Sequence, residues 1–401
     1  MAVRSNPNLV EELKRYGADD VTKCYHCGNC TAICPLSKEP FVFPRKSMRY
    51  LQMGLGDKLK GNLEPWLCYY CGECSEQCPR EAEPGETMMS MRRWLTARYD
   101  ITGISKLFYE SWKAEVGAIL LLALLTGIGF YWFGMTKGGG DINVYAGPNA
   151  FLPSTSGDFF FGLGWNVHTF DWIMGGFLGG LLVINCLRMW WFTTGSRKDL
   201  KIPLFTYIKH AFLLPWHFIT QKRYSECDKK TPWVVHLVLM LSYLTLLILI
   251  MFFLHYMHQA ETVWAAHTFG YLATIGLLGT TIYALHGRLN KTETHYKYSH
   301  ESDLIFLYML LYVGTTGILQ NVTYRVFGME TLANYIYILH MMGVVPMLVL
   351  EVPFSKWGHL AYRPYAMYLS HVQADVIMER ERGKAAGANV PAMAPQKQMI
   401  A

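Results

Sequence analysis

Charged residues are scarce in this sequence: they make up only 16% of its 401 residues, whereas soluble domains contain about 25%. The first twenty residues contain no apolar core of a secretory signal, so none is expected. The sequence also lacks the basic stripe of a nucleic-acid binder and any G-x-G-x-x-G or phosphate loop for a flavin or nicotinamide nucleotide. These shortages exclude a wholly soluble protein and a secreted disulfide protein, and no nucleic-acid partner is expected.

Apolar residues make up 52% of the chain, and they gather into long runs after its first hundred residues. A helix needs about 20 mostly apolar residues to cross a bilayer. Six predicted spans meet this requirement: 116–136, 169–193, 233–257, 265–287, 303–322 and 332–355. Residues 202–220 are apolar but interrupted by Lys209 and Pro215, which favours an interfacial helix on the membrane surface. Residues 361–401 are expected to form a cytoplasmic tail, disordered at its end.

Lysine and arginine are concentrated after the second, fourth and sixth predicted spans. Examples are Arg197 and Arg223 after the second span, Arg288 after the fourth and Lys356 after the sixth. Such clusters stay on the cytoplasmic side of a membrane. The pattern therefore predicts a multi-pass protein of the cell inner membrane, with both termini and the cysteine-rich region in the cytoplasm.

Eight of the ten cysteines lie in two blocks with the same spacing, C-x2-C-x2-C-x3-C-P. In such blocks the first three cysteines bind one iron–sulfur cube and the fourth binds the other. Zinc ribbons use C-x2-C pairs, so the triple run argues against zinc. We therefore predict one [4Fe–4S] cluster at Cys24, Cys27, Cys30 and Cys78, and a second at Cys68, Cys71, Cys74 and Cys34. Cys186 and Cys227 are interpreted as packing residues.

The segment between the two cysteine blocks has apolar residues at helical spacing, for example Met48 and Leu55. This pattern favours a helical variant of the ferredoxin fold. The predicted fold class is mainly α: an α-helical ferredoxin domain with two [4Fe–4S] clusters at 1–100, then a six-helix transmembrane cytochrome b bundle at 116–360. Residues 101–115 are interpreted as a connector.

Histidine is costly inside a membrane, so histidines near the ends of two spans need a reason. His236 and His255 lie on the third span, and His340 and His359 mark the sixth; each pair is 19 residues apart, or about 28 Å of helix. Because these spans run antiparallel, we predict two haems b, one bound by His236 and His359 on the cytoplasmic side and one by His255 and His340 on the outer side. Alternative ligands are His258, His267 and His286.

Glu351 lies alone inside the sixth span. An acid at such a position is by default a functional candidate. Two interpretations remain open: Glu351 relays protons to or from a quinone, or it pairs with Arg188.

Two segments resemble known families. CYHCGNCTAICPLS and CYYCGECSEQCPREAEPGETMMSMRRWL resemble the C subunit of heterodisulfide reductase over about the first hundred residues. LHMMGVVPMLVLEVPFSKWGHLAYRPYAMY resembles the last haem-bearing helix of the respiratory nitrate reductase gamma subunit, which a histidine begins and a P-F-S-[KR]-x-x-H run ends. His340 and His359 match those positions. The third span departs from that family, because Leu246 stands where its second histidine would be, which leaves His258 or His267 open as ligands.

A chain that joins both modules resembles the membrane subunits of quinone-interacting membrane-bound oxidoreductase complexes of sulfate-respiring bacteria. The resemblance implies an electron-transfer subunit with menaquinol as substrate, whose own catalysis is confined to quinol oxidation. It also implies two heterodisulfide reductase A-like flavoprotein partners, and adenylylsulfate (APS) reductase as terminal acceptor. The alternatives are a membrane subunit of a related heterodisulfide reductase or sulfite-reduction complex, and an iron–sulfur-regulated transporter or sensor.

Overall fold

Helices dominate the computed structural model, which describes residues 4–137, 167–197, 199–258 and 264–387. Within these ranges there is no β-strand, apart from an isolated bridge between Lys38 and Phe41. The prediction of a mainly α protein is therefore confirmed.

The N-terminal module, residues 4–110, is built from short helices around one longer helix. That longer helix is α7, which begins with Pro84, a residue whose missing N–H costs nothing in a first turn. Its apolar side chains Met88, Met91 and Trp94 are buried, and so are its two charged neighbours Arg92 and Arg93. The helices are α1 (Leu9–Lys14), α2 (Asn29–Ala32), α3 (Arg45–Gln52), α4 (Gly56–Lys60), α5 (Glu64–Leu67), α6 (Glu73–Glu76), α7 (Pro84–Tyr99) and α8 (Ile104–Glu110).

Six further helices are long and apolar enough to cross a membrane, as the sequence predicts. They are α9 (Trp112–Lys137), α10 (Val167–Trp190), α13 (Thr231–His258), α14 (Trp264–Asn290), α16 (Glu301–Arg325) and α17 (Glu330–Pro346). The last span continues after Pro346 as a π turn, Met347–Glu351, and then as α18 (Val352–Phe354). Proline cannot donate to the helical ladder, which accounts for a change of helix type at this point.

The predicted interfacial helix at 202–220 occurs as two short helices, α11 (Leu204–His210) and α12 (Leu213–Thr220). Large apolar side chains project from both into the surroundings, with Leu204 of α11 75% and Ile219 of α12 49% exposed. Such an apolar surface suits contact with lipid, and its location on the membrane stays a prediction. One more short helix, α15 (Thr294–Lys297), precedes α16.

The segment after His359 is a helix, α19 (His359–Gly387), where the sequence analysis expects a tail from residue 361. Tyr362, Ala366 and Leu369 form its buried face, at spacings of four and three residues. The remaining residues, 388–401, lie outside the described part of the chain. The apolar face is hard to recognise in the sequence because polar residues surround it and lower the mean hydropathy of the segment.

One hydrophobic core joins the N-terminal module to the membrane bundle. Trp66 of α5, Tyr99 of α7 and Tyr362 of α19 pack against one another: the ring centroid of Trp66 is 6.3 Å from that of Tyr99 and 5.2 Å from that of Tyr362, and the two tyrosine rings are 5.9 Å apart. The same core takes in Met189 of α10 and Cys227 of the following loop. The module is thus packed against the cytoplasmic ends predicted for the spans, and does not hang from a flexible linker.

A buried charge cluster adds a second connection. Asp303, at the start of α16, lies 3.2 Å from Nη2 of Arg93 and 3.6 Å from Nη1 of Arg288, and it also pairs with Lys356. Arg93 in turn is 2.8 Å from Glu86. Because all of these groups except Lys356 and Arg288 are almost fully buried, removal of one partner would leave an uncompensated charge.

Candidate redox sites

The two cysteine blocks follow the same backbone path. Gly28 and Gly72 have φ of 93° and 89° and begin the short helices α2 and α6. Two residues earlier, His26 and Tyr70 also have positive φ, at 63° and 57°. Glycine reaches this conformation without a Cβ clash, so the repeated turn curls each C-x2-C-x2-C loop around a common centre.

Electrostatic coupling between the thiols separates them into two groups. Burial raises the pKa of the Cys30 thiol to about 11, and the neighbouring sulfurs of Cys24, Cys27 and Cys78 raise that pKa further. Burial likewise raises the pKa of Cys24, where Cys78 and Cys27 also contribute. Cys78 belongs to the second block in sequence but lies with the first block in space.

In the second group, Cys34 of the first block lies with the cysteines of the second block. Burial raises the pKa of Cys34 to about 12, and the neighbouring Cys68 and Cys71 add to this rise. Burial also holds the pKa of Cys74 well above its ordinary value, together with Cys68, Cys71 and Cys34 and, to a smaller extent, Cys30 of the other group. Crossed ligation of two clusters requires this grouping. Such thiols become thiolates when a cation replaces their protons.

Cys227, interpreted as a packing residue, is buried as expected but also contacts a predicted ligand. Its sulfur, the Cys71 sulfur and a carboxylate oxygen of Glu73 all lie within 4.8 Å of one another. A hydrogen bond from Cys227 lowers the pKa of Cys71, whereas the pKa of Cys227 itself is raised. Sequence spacing could not show this contact, because Cys227 follows the second span and stands outside any motif.

A cavity of about 210 Å³ lies between the module and the membrane helices, and the predicted cytoplasmic-side histidines line it. The ring centroids of His236 and His359 are 6.2 Å apart. Metal–imidazole bonds of about 2 Å, with a centroid ~1 Å beyond each nitrogen, place two opposed imidazoles roughly 6 Å apart. The observed separation therefore fits one iron between the two rings.

Both rings present the correct nitrogen for such a bond. Nδ1 of His236 is 2.7 Å from Oε1 of Gln221, and Nδ1 of His359 is 2.5 Å from the carbonyl oxygen of Lys356. Each acceptor holds a proton on Nδ1 and leaves Nε2 to bind a metal, which is the usual second-shell arrangement. Burial, with His236 nearby, keeps the pKa of His359 well below its ordinary value, so the ring is neutral.

For the predicted outer-side haem, the structure describes the surroundings of one histidine ligand, His340, in detail. His340 is held by Thr316, whose Oγ1 is 3.0 Å from Nδ1, and its ring rests against Gly317. The side chains of His255 and His258 lie outside the described residues. His267 has a buried Nε2 without a hydrogen-bond partner, whereas His286 is exposed.

The relative register of the membrane helices indicates which residues of α13 lie level with His340. The contacts that set it are Gly276 with Ser242, Gly314 with Leu277, and Gly317 with His340. They place His340 level with α13 close to Leu246. His255 follows Leu246 by nine residues, or about 14 Å of helix. The pairing of His255 with His340 thus stays a prediction that the register does not favour.

Glu351 is fully buried, and its neighbour is another acid. Its carboxyl group is close enough to Glu115 for a hydrogen bond between them. Glu115 also accepts from the hydroxyls of Ser302 and Ser355, at 2.8 Å and 2.5 Å. Two carboxyl groups in such contact repel each other when both are ionised. The sequence analysis places Glu115 in the connector, because the apolar run begins at the next residue.

Arg188, the alternative partner for Glu351, is engaged elsewhere, which corrects that interpretation. Its Nε and Nη2 donate to the carbonyl oxygens of Tyr99 and Arg98, at 2.7 Å and 3.2 Å. These carbonyls end α7, where cations are favoured.

A short path connects the histidine-lined cavity to the second cysteine group. Arg363 lies one helical turn beyond His359, and its Nη2 donates to the carbonyl oxygen of Cys68 at 3.0 Å. The same guanidinium lies 3.7 Å from the ring centroid of Tyr69, and Tyr69 lines the cavity. Two candidate redox sites thus share a wall.

Comparison with known proteins agrees with the cysteine geometry. Residues 20–82 match the model of a 4Fe–4S dicluster domain. The fold and this domain together define a multi-pass membrane protein that carries iron–sulfur clusters for electron transfer.

A more particular likeness covers part of the chain. Over 98 residues, or 24% of the chain, it is 37% identical to a protein of Archaeoglobus profundus that is described as similar to the C subunit of heterodisulfide reductase. The chain spans about half of that relative's length, 52%. No solved structure matches this chain.

Proposed function

We propose that the chain is a membrane subunit that exchanges electrons with the menaquinone pool and passes them to soluble flavoprotein partners. The observation that carries this proposal is the wall shared by the His236–His359 cavity and the Cys68 group. Haem b and [4Fe–4S] clusters, when bound, supply one-electron oxidation and reduction. Two haems are proposed, the first at His236 and His359 and the second at His340 with a partner from α13 or α14.

The proposed order of the two cluster sites along the electron path follows from how deeply their cysteines are buried. In the Cys68 group, Cys68 and Cys74 are buried and Cys34 and Cys71 are half-buried, whereas Cys27 of the first group is exposed and its neighbour Tyr25 is 59% exposed. A soluble partner can therefore approach the first group more closely than the second. We place the [4Fe–4S] site of Cys24, Cys27, Cys30 and Cys78 at the exit, and that of Cys34, Cys68, Cys71 and Cys74 between it and the haem site.

The proposed setting is the cell inner membrane, with the N-terminal module and both termini in the cytoplasm. By resemblance, the proposed partners are two heterodisulfide reductase A-like flavoproteins, with APS reductase as the final acceptor in sulfate respiration. A related heterodisulfide reductase or sulfite-reduction complex would use the same sites with another partner. Affinity purification of the intact complex distinguishes these assignments.

Quinol oxidation by the chain tests the proposed function directly. The oxidised full-length chain in lipid is mixed anaerobically with a menaquinol analogue while absorbance and low-temperature paramagnetic resonance are followed. We expect reduced b-type haem bands first and reduced-cluster signals afterwards. A preparation without b-type bands, or one whose clusters are reduced equally well after haem extraction, contradicts the proposal.

Replacement of Glu351 with Gln tests whether the carboxyl pair of Glu351 and Glu115 carries protons during quinol oxidation. An amide cannot exchange a proton as a carboxyl group can, so we expect quinol oxidation to slow by roughly tenfold or more. The haem and cluster signals should stay, because the substitution keeps the side-chain volume. The matched control is Glu330→Gln, at an exposed position on the same span. Unchanged turnover of Glu351→Gln across the pH range would remove Glu351 from the proton path.

A further inference from the structure

The cavity beside His236 and His359 is strongly polarised. Its part toward the membrane interior is lined by apolar side chains such as Leu239, Leu277 and Phe306. The lining also contains five cationic side chains and one acid: Arg92, Arg93, Arg288, Lys356, Arg363 and Asp303. A ligand that fits this cavity has an apolar body and an anionic edge.

Two of these cations lack a carboxylate partner in the part of the chain that the structure describes. Arg93, Arg288 and Lys356 share Asp303, whereas no ion pair there includes Arg92 or Arg363. Arg92 is only 7% exposed, its Nε has no hydrogen-bond partner, and its Nη2 contacts the sulfur of Met89. The negative groups that act on Arg92 are the Cys68 sulfur and Glu86, and neither forms an ion pair with it, so its guanidinium can still accept a carboxylate from a ligand in the cavity.

The two guanidinium groups also act on each other. Burial, followed by the charge of Arg363, lowers the pKa of Arg92 to about 10. Arg363 is held in place by the Cys68 carbonyl and by the ring of Tyr69, neither of which carries a negative charge. An anionic group between the two arginines would remove their mutual repulsion.

We propose that Arg92 and Arg363 bind the two propionate carboxylates of the haem whose iron is held by His236 and His359. This inference rests on the proposed haem site and assigns its orientation. Arginine suits the role because its planar fork makes paired hydrogen bonds to a carboxylate. Arg92 belongs to α7 of the N-terminal module and Arg363 to α19, so the haem edge is clamped between the module and the last helix, next to Cys68.

Haem and its dimethyl ester, in which both propionates are uncharged, separate this inference from the proposed function. The full-length chain is produced in haem-deficient cells and titrated with each compound in lipid. We expect the ester to bind roughly tenfold or more weakly than haem to the unsubstituted chain, as for loss of a charged hydrogen bond. In Arg92→Gln with Arg363→Gln, haem binding should weaken by a similar factor and the preference for haem over the ester should disappear.

The matched control is Arg98→Gln, on the same helix as Arg92 but half-exposed and paired with Glu12. It should keep the preference for haem. The cluster signals of each variant show that the module remains folded. Equal binding of haem and ester by the unsubstituted chain overturns the propionate assignment alone, whereas failure to bind either compound overturns the haem site and the proposed function with it.

Discussion

We expect that replacing His359 with Ala removes the b-type absorbance of one of the two proposed haems and leaves both iron–sulfur signals in place. The imidazole of His359 is proposed to provide one of the two bonds to the haem iron, and its ring centroid lies 6.2 Å from that of His236. Haem content per chain, measured as the pyridine complex, should fall from about two to about one.

The matched control for this substitution is His286→Ala, which alters an exposed histidine of α14. Its haem content should equal that of the unsubstituted chain. A His359→Ala chain that keeps its full b-type spectrum would contradict the assignment of His359 as a ligand.

Cysteine substitutions test the crossed ligation of the clusters. Cys34→Ala should impair the same cluster as Cys68→Ala, although Cys34 belongs to the first block, because Cys34 lies with Cys68 and Cys71. Cys78→Ala should instead impair the cluster that Cys24→Ala impairs. In each case the iron bound in clusters should fall from about eight to about four atoms per chain.

Paramagnetic resonance after stepwise reduction identifies which cluster is lost. The control is Cys186→Ala, because Cys186 lies outside both groups and packs against the hydrophobic core. If Cys34→Ala and Cys24→Ala removed the same signal, each block would bind its own cluster and the crossed assignment would be wrong.

Features set by local spacing were predictable from the sequence. Six apolar runs of sufficient length gave six long helices, and the cysteine spacing matched a dicluster domain. The rings of His236 and His359 lie 6.2 Å apart, because antiparallel spans bring opposite ends together, and their role as haem ligands stays a prediction. These predictions depend on neighbours in the chain or on the simplest packing of two helices.

Features created by tertiary contacts were not predictable in the same way. Glu115 of α9 and Glu351 of the π turn lie close together, but the sequence around either residue gives no indication of the other. Cys227 reaches Cys71 only because the loop after α12 folds back onto the module. The helix after His359 was missed for a related reason: its apolar face matters only when the module covers it.

The cluster of Trp66, Tyr99 and Tyr362 has a consequence for biogenesis. Domains made first by the ribosome usually fold before the rest of the chain emerges. Here Tyr362 comes from a helix that follows all six predicted spans in the sequence, yet it completes a core begun by Trp66. The cysteine loops, which precede those spans, therefore gain their final support only after the six spans have been made, so insertion of these spans into the bilayer precedes completion of the electron-carrying end.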